Sequence, residues 1–371
     1  MYFGSVFCIH MGNFLIMKFF YFLVFAFFLS CTKSVEDRCF IKDGDKYFEP
    51  YIEQKPFTVN QIIENKPDYL EVINLKKFRR FKQDSLYFHD SKWENYEEIM
   101  KDYVIFKEKF SGQFMCFGRQ TDGKIQYSLG KNNLGYWLLK IENNQPSAYF
   151  LGLSFSHYYI NEIQSEPIIK DGFLQVEGSL VEIIKVAGLP GYDDYSAIGE
   201  GKLFKLNLKD LIKDSDNDGY NDIFEESFGL NPKSKDSDGD KINDFDDMNP
   251  MFKSEKNKFS ELYQKLLPDY AAAPDFKKMH YEFEVFESEC DYFHQVNPDY
   301  RILFASEKES EQTDYIKVTD VFHHGISKIK RDEKYPERFY ISKWGSSFVN
   351  DYAAEYKNGK WELEMIGGTV S

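Results

Sequence analysis

Residues 214–225 read DSDNDGYNDIFE, and the chain nearly repeats the pattern at residues 236–247 as DSDGDKINDFDD. No other stretch constrains the fold so tightly. Residues 214–250 carry twelve acids and three bases, which concentrates −9 of the whole chain's −15 in one short segment. Carboxylates this close repel one another unless a cation lies between them, so the segment folds compactly around positive charge or stays extended in water.

The spacing favours a bound ion. Numbered from Asp214, carboxylates fall at positions 1, 3, 5, 9 and 12 (Asp214, Asp216, Asp218, Asp222, Glu225), with Gly219 at 6 and Tyr220 at 7. Alternate carboxylates in a tight turn converge on one point, and a glycine at position 6 lets the chain reverse. The position 7 backbone carbonyl and a late carboxylate then complete an all-oxygen shell of 6–8 donors, the arrangement calcium takes. The second loop places Asp236, Asp238, Asp240, Asp244 and Asp247 at the same positions, with Ile242 at 7. It differs in having Lys241 at position 6 and Asp instead of Glu at 12. A non-glycine residue in a left-handed conformation costs about 1–2 kcal/mol, so the second site is expected to be the weaker. The segment has no Cys or His, which disfavours zinc and copper.

Between the loops lies GLNP, residues 229–232. Two loops in register with this spacer resemble the bacterial form of thrombospondin type 3 repeats, over about forty residues. The resemblance implies that structural Ca2+ stiffens a connector with little core of its own. Gly229 is placed to cap a short helix over 222–228 in a left-handed conformation, and Pro232 prevents its continuation. Extracellular modules of this kind bind calcium with dissociation constants on the order of 10⁻⁴–10⁻³ M.

The amino terminus supplies an address. Lys18 precedes the apolar run 19–29, which is too short to span a bilayer and suits the hydrophobic region of a secretory signal. Met17 and Met11 both suit as the initiator, because Lys18 then becomes the leader's charge. Phe28-Leu29-Ser30-Cys31 resembles a relaxed lipobox of bacterial lipoproteins. That resemblance implies cleavage before Cys31, its acylation, and residence at the outer membrane, on the periplasmic face or at the cell surface. Several acyl chains anchor stably where one does not. Past the anchor lie Cys39, Cys116 and Cys290. An oxidising compartment permits a disulfide, and Cys39–Cys116, within one domain, is the expected pair.

Hydrophobic residues at 42% exclude a disordered chain, and 371 residues suffice for two cores. Helical spacing marks parts of 50–110, and strands punctuated by Asn-Asn, Asp-Gly and Pro-Gly follow over 113–207. A helix is expected over 259–267, then further strands ending in a hairpin at Asn358-Gly359. The expected fold is α+β, mainly antiparallel β: two β-rich lobes joined by the calcium-binding segment. Residues 1–30 are read as signal peptide, 31–50 as lipidated tether and 51–210 as an N-terminal α+β domain. The repeat occupies 211–250, and 251–371 form a C-terminal β-rich domain.

With its excess acid and no basic stripe, the chain is not expected to bind nucleic acid. No HExxH, phosphate-binding loop or Gly-x-Ser-x-Gly elbow is present. His323-His324 and the Cys290/His294 pair lack supporting partners at a recognisable spacing. Trp137, Tyr149, Phe150 and Tyr158-Tyr159 read as core in preference to a ligand platform. No catalytic residue is assigned. The reading favoured is a lipid-anchored envelope protein that binds or scaffolds a protein or glycan partner. Its rivals are an envelope hydrolase of polysaccharide or peptide, and a lipoprotein inhibitor or immunity protein.

Overall fold

Turn chemistry sets most of the sheet boundaries. In the computed structural model, which describes residues 34–42, 56–85, 98–185, 193–267, 276–319 and 321–370, tight turns carry paired left-handed residues. Asn143 and Asn144 (φ 49° and 68°) turn one hairpin, and Asn358 and Gly359 (φ 52° and 76°) turn another. Both central residues of such turns need positive φ, which Asn and Gly adopt at least cost. The stretch expected to be a signal peptide, Cys31 and most of the expected tether lie outside the described residues.

Strand β1 (Leu70–Asn74) precedes a four-stranded antiparallel meander. The meander comprises β2 (Met115–Asp122), β3 (Ile125–Asn132), β4 (Gly135–Glu142) and β5 (Gln145–Phe150). A second sheet adds β6 (Tyr158–Ile160), β7 (Ile169–Lys170) and the long pair β8 (Phe173–Lys185) and β9 (Asp193–Asn207). Its order is β1-β9-β8-β6, with β7 on β8. Among the described residues over 50–110, helices Val59–Glu64, Phe81–Ser85 and Val104–Lys109 are short. Pro67 disfavours helix at the residue before it, and LEVIN then pairs with β9 as a strand.

Beyond the acidic repeat, helix Lys258–Leu266 falls where expected, with Asn257 accepting from the Phe259 and Ser260 amides at its start. Strands β10 (Glu284–Glu287) and β11 (Ile302–Ala305) pair in parallel. The last sheet contains β12 (Gly325–Ile326), β13 (Lys330–Arg331), β14 (Arg338–Gly345), β15 (Phe348–Lys357) and β16 (Lys360–Val370). It is antiparallel in the order β12-β14-β15-β16. The architecture is α+β with mainly antiparallel β-sheet.

Two hydrophobic cores result, and each draws on distant parts of the chain. The first packs Trp137 against Phe150, Phe114, Phe224 of the acidic repeat, and Tyr281 from beyond it. The second gathers Tyr263, Phe293, Phe286, Phe339 and Trp361, and it includes Cys39 and Phe40. The β10–β11 ribbon serves both: Val285 and Leu303 belong to the first core, Phe286 and Phe304 to the second. Side chains alternate faces along a strand, so one ribbon can face two cores.

The expected Cys39–Cys116 disulfide is not formed. Cys39 bonds Cys290, 251 residues away, and Cys116 is a buried free thiol. Helix Val35–Cys39 and Phe40 lie on the second core, whereas Cys116 is on β2 in the first. Sequence proximity therefore misled the pairing. Of the aromatics read as core, Trp137, Phe150 and Tyr158 are buried, whereas Tyr149 and Tyr159 are only partly buried.

Candidate metal centre

Each acidic loop is folded by its own carboxylates before any cation is considered. In the first, Asp214 accepts from the Asn217 and Gly219 amides at 2.7 and 3.2 Å. Asp216 Oδ1 accepts from Asp218 N, and Asp218 Oδ1 from Tyr220 N. The second loop repeats this: Asp236 accepts from Gly239, Asp240 and Lys241, Asp238 from Asp240, and Asp240 from Ile242. Short acidic side chains bond the backbone two or three residues on, which curls the loop inward. Lys241 at position 6 is left-handed, with φ 83°.

That bonding uses one oxygen of Asp216, Asp218 and Asp238 and leaves the other, Oδ2, buried without a hydrogen-bond partner. Glu225 goes further. Its residue is wholly buried, and neither carboxylate oxygen has a partner. An uncompensated buried carboxylate is among the most costly groups a fold can hold.

The carboxylates converge in three groups. Asp214, Asp216 and Asp218 form one, Asp236, Asp238 and Asp240 a second, and Asp218, Glu225 and Asp244 a third. Within each, ligand oxygens lie within 4.8 Å of one another. The third group spans both loops, so Glu225 of the first is completed by Asp244 of the second. Position-by-position numbering of separate loops gives no signal for that crossing.

Asp222 and Asp247 fall outside these groups. Asp222 accepts from Lys213 Nζ, Ser215 N and Ser215 Oγ at 2.6–2.8 Å and so clasps the start of its loop. Asp244 clasps Ser237 in the same way, through its amide and hydroxyl, while also facing Glu225. Asp247 accepts from Asn249 N.

Titration does not simply follow the grouping: burial raises Asp247, outside the groups, while in Asp236, within one, the Lys241, Gly239 and Asp240 amides outweigh burial and lower it. Burial, reinforced by neighbouring carboxylates, pushes Asp218 up to about 7 and Glu225 up to about 9. Asp238 and Asp244 are raised to about 6 and Asp216 is raised, burial again being the largest cause. Asp222 is instead lowered, because Lys213 and Ser215 outweigh its burial. Like-charged carboxylates held this way resist ionisation together, and a divalent cation removes the conflict. All the donors are oxygens, which suits a hard cation.

The loops are anchored on both sides. Tyr220 at position 7 sends its hydroxyl to the His280 carbonyl at 2.6 Å and packs its ring at a tilt against Phe224 and Phe245. Asn221 is buried and extends the edge of β5, accepting from Phe150 N and donating to Phe150 O and Leu211 O. Helix Asp222–Phe228 inserts Phe224 and Phe228 into the first core and ends at left-handed Gly229, as expected. Ile242, at position 7 of the second loop, is exposed. The second loop is held through Met248 O, which accepts from Ile302 N, and Asn249, which donates to the His294 and Val296 carbonyls.

Arg301 escaped sequence reading altogether. It is almost fully buried and donates to the carbonyls of Phe276, Met279 and Phe245. A lone arginine after a tyrosine carries no signal of burial; only the fold around it does. Cys290 cannot serve as a nucleophile while bonded to Cys39, and His294 stacks on Phe252 and contacts the Ser288 carbonyl.

No family, curated protein or solved structure matches this chain. The chemistry of the site is therefore the basis for a functional reading.

Proposed function

We propose that the chain is a lipid-anchored protein of the outer envelope, acylated at Cys31, in which calcium bound by the acidic repeat fixes the two cores to each other. Its work is to bind or scaffold an envelope or extracellular partner. The observation that carries the calcium reading is Glu225, a wholly buried carboxylate with both oxygens unpartnered, facing Asp218 and Asp244. Calcium accepts such oxygens at roughly 2.3–2.6 Å in a forgiving geometry, whereas magnesium demands near-ideal octahedral geometry and gives up its waters reluctantly.

The ion's task is structural. Phe224 and Phe228 tie the first loop to the first core, while Met248 and Asn249 tie the second loop to the β11 and 294–296 region. A cation shared between Glu225 and Asp244 joins those attachments.

Calorimetry of the chain from residue 32, with calcium and with excess EDTA, tests this reading. A calcium-dependent rise in at least one unfolding transition, with one or more sites in isothermal titration, is expected. Unchanged transitions and no binding heat would reduce the repeat to a solvated acidic linker. Radiolabelled palmitate incorporation that disappears in Cys31→Ser tests the anchor separately.

A further inference from the structure

One contact between the two acidic loops sits beside two members of their shared group. Phe245, next to Asp244, lays its ring against Gly219, next to Asp218: a Cβ at Gly219 would lie 2.8 Å from that ring. Glycine at position 6 is therefore required for this close approach as well as for its φ of 124°. The Phe245 ring also packs at a tilt against Tyr220, with centroids 5.0 Å apart, and stacks on the His280 ring at 4.1 Å. The His280 carbonyl in turn accepts from the Tyr220 hydroxyl at 2.6 Å.

Arg301 grips the backbone at this contact. Its Nη2 donates to the Phe245 carbonyl at 2.9 Å and lies 2.9 Å from His280 Nδ1. Its Nη1 donates to the Phe276 and Met279 carbonyls at 2.9 and 3.2 Å. The next residue, Ile302, donates its amide to the Met248 carbonyl at 2.9 Å, so both ends of 245–248 are held from the start of β11. Arg301 is 1% exposed and forms no ion pair among the described residues. A buried cation without a counter-ion is costly, and here three carbonyls from two stretches of chain meet it. A planar guanidinium fork can serve all three at once, which the single ammonium of lysine cannot.

We infer that Arg301 is a positioning residue of the metal centre: by gripping Phe245 it keeps that ring on Gly219 and so sets Asp244 against Asp218 and Glu225 for the shared ion. The inference rests on the calcium reading of that group. Arg301 lies outside both loops and ligates nothing. Its own charge repels a cation, so what it adds to calcium binding is geometric. Groups that orient metal ligands change metal affinity by about 10–100-fold when they are altered. Lysine at this position keeps the charge and loses the fork, so a fall in affinity there reports the geometry.

The test is a double-mutant cycle on the full chain in detergent, read by calcium titration calorimetry, with Glu225→Gln and Arg301→Lys made singly and together. Glu225→Gln marks the shared ion as the binding event that it weakens or removes. Arg301→Lys should weaken that same event by at least about tenfold and leave any other calcium event at its parental affinity. Combining the two should add little to either, because both act on one ion. A purely structural role predicts something else: unfolding temperatures that drop equally in calcium and in EDTA, with an unchanged isotherm. Tyr220→Phe removes only the hydroxyl bonded to His280, should weaken the same event, and decides the matter if Arg301→Lys does not fold. A parent that binds no calcium, or whose binding Glu225→Gln leaves untouched, sinks the calcium reading of the shared group and this inference with it. A shared event that keeps its affinity in Arg301→Lys, or substitutions whose effects simply add, sinks the role of Arg301 alone.

Discussion

Glu225 and Asp244 belong to different acidic loops, yet their carboxylate oxygens lie within 4.8 Å of each other and of Asp218. The two are not equivalent. Asp244 also accepts from the Ser237 amide and hydroxyl, whereas neither carboxylate oxygen of Glu225 has a hydrogen-bond partner. One residue therefore builds its loop and faces the shared point, and the other does only the second.

Glu225→Gln keeps shape and removes charge. In EDTA the variant should be more stable than the parent, because a repelling buried carboxylate has gone. With calcium it should gain far less. A site at one hundred times its dissociation constant contributes about 2.7 kcal/mol, and most of that should vanish. Paired calorimetric scans read both effects, and a variant less stable in EDTA with an undiminished calcium shift would contradict the assignment.

Asp222→Asn should behave differently. Its partners are Ser215 and Lys213, so the change should cost about 1–3 kcal/mol while the number of calcium ions bound stays the same. Isothermal titration supplies the stoichiometry, and denaturant unfolding in EDTA supplies the cost.

The pH dependence of the calcium-free protein has a definite sign. Asp238 and Asp244, near 6, Asp218, near 7, and Glu225, near 9, all sit above their ordinary values near 4. The folded state therefore holds more protons than the unfolded state between about pH 4 and 9, and its stability falls as pH rises through that window. Unfolding temperatures in EDTA should decline from pH 5 to pH 9, and saturating calcium should flatten the decline.

Lys241 occupies a left-handed position with φ 83°. Lys241→Gly should relieve about 1 kcal/mol of backbone strain, since glycine reaches this region freely. Chemical denaturation with calcium present measures the gain. A loss of stability would mean that the lysine side chain matters more than its backbone.

Reduction of Cys39–Cys290 should destabilise the second core. A bond closing a loop of this length stabilises by about 2–5 kcal/mol. The Cys39→Ser, Cys290→Ser protein should unfold at lower temperature in its second-core transition, with Cys116 remaining a free thiol by peptide mapping.

Local chemistry was legible in the sequence. The loop pattern, the helix over 222–228 with its left-handed Gly229, and the Asn358-Gly359 hairpin depend on residues a few positions apart, and neighbouring side chains decide them. The mainly antiparallel strand texture was equally local. Which loop Glu225 completes, which cysteine Cys39 meets, and which core receives Phe40 were not legible. Each depends on contacts between residues far apart in the chain, and side-chain type alone does not specify a distant partner. Burial decided these points: the β10–β11 ribbon faces two cores at once, and it carries Val285 and Leu303 to one and Phe286 and Phe304 to the other. Local spacing is enough to crowd carboxylates together twice. That the two crowds meet is a product of long-range packing, because the first loop is pulled in by Phe224 and the second by Met248 and Asn249 until Glu225 and Asp244 share one buried space.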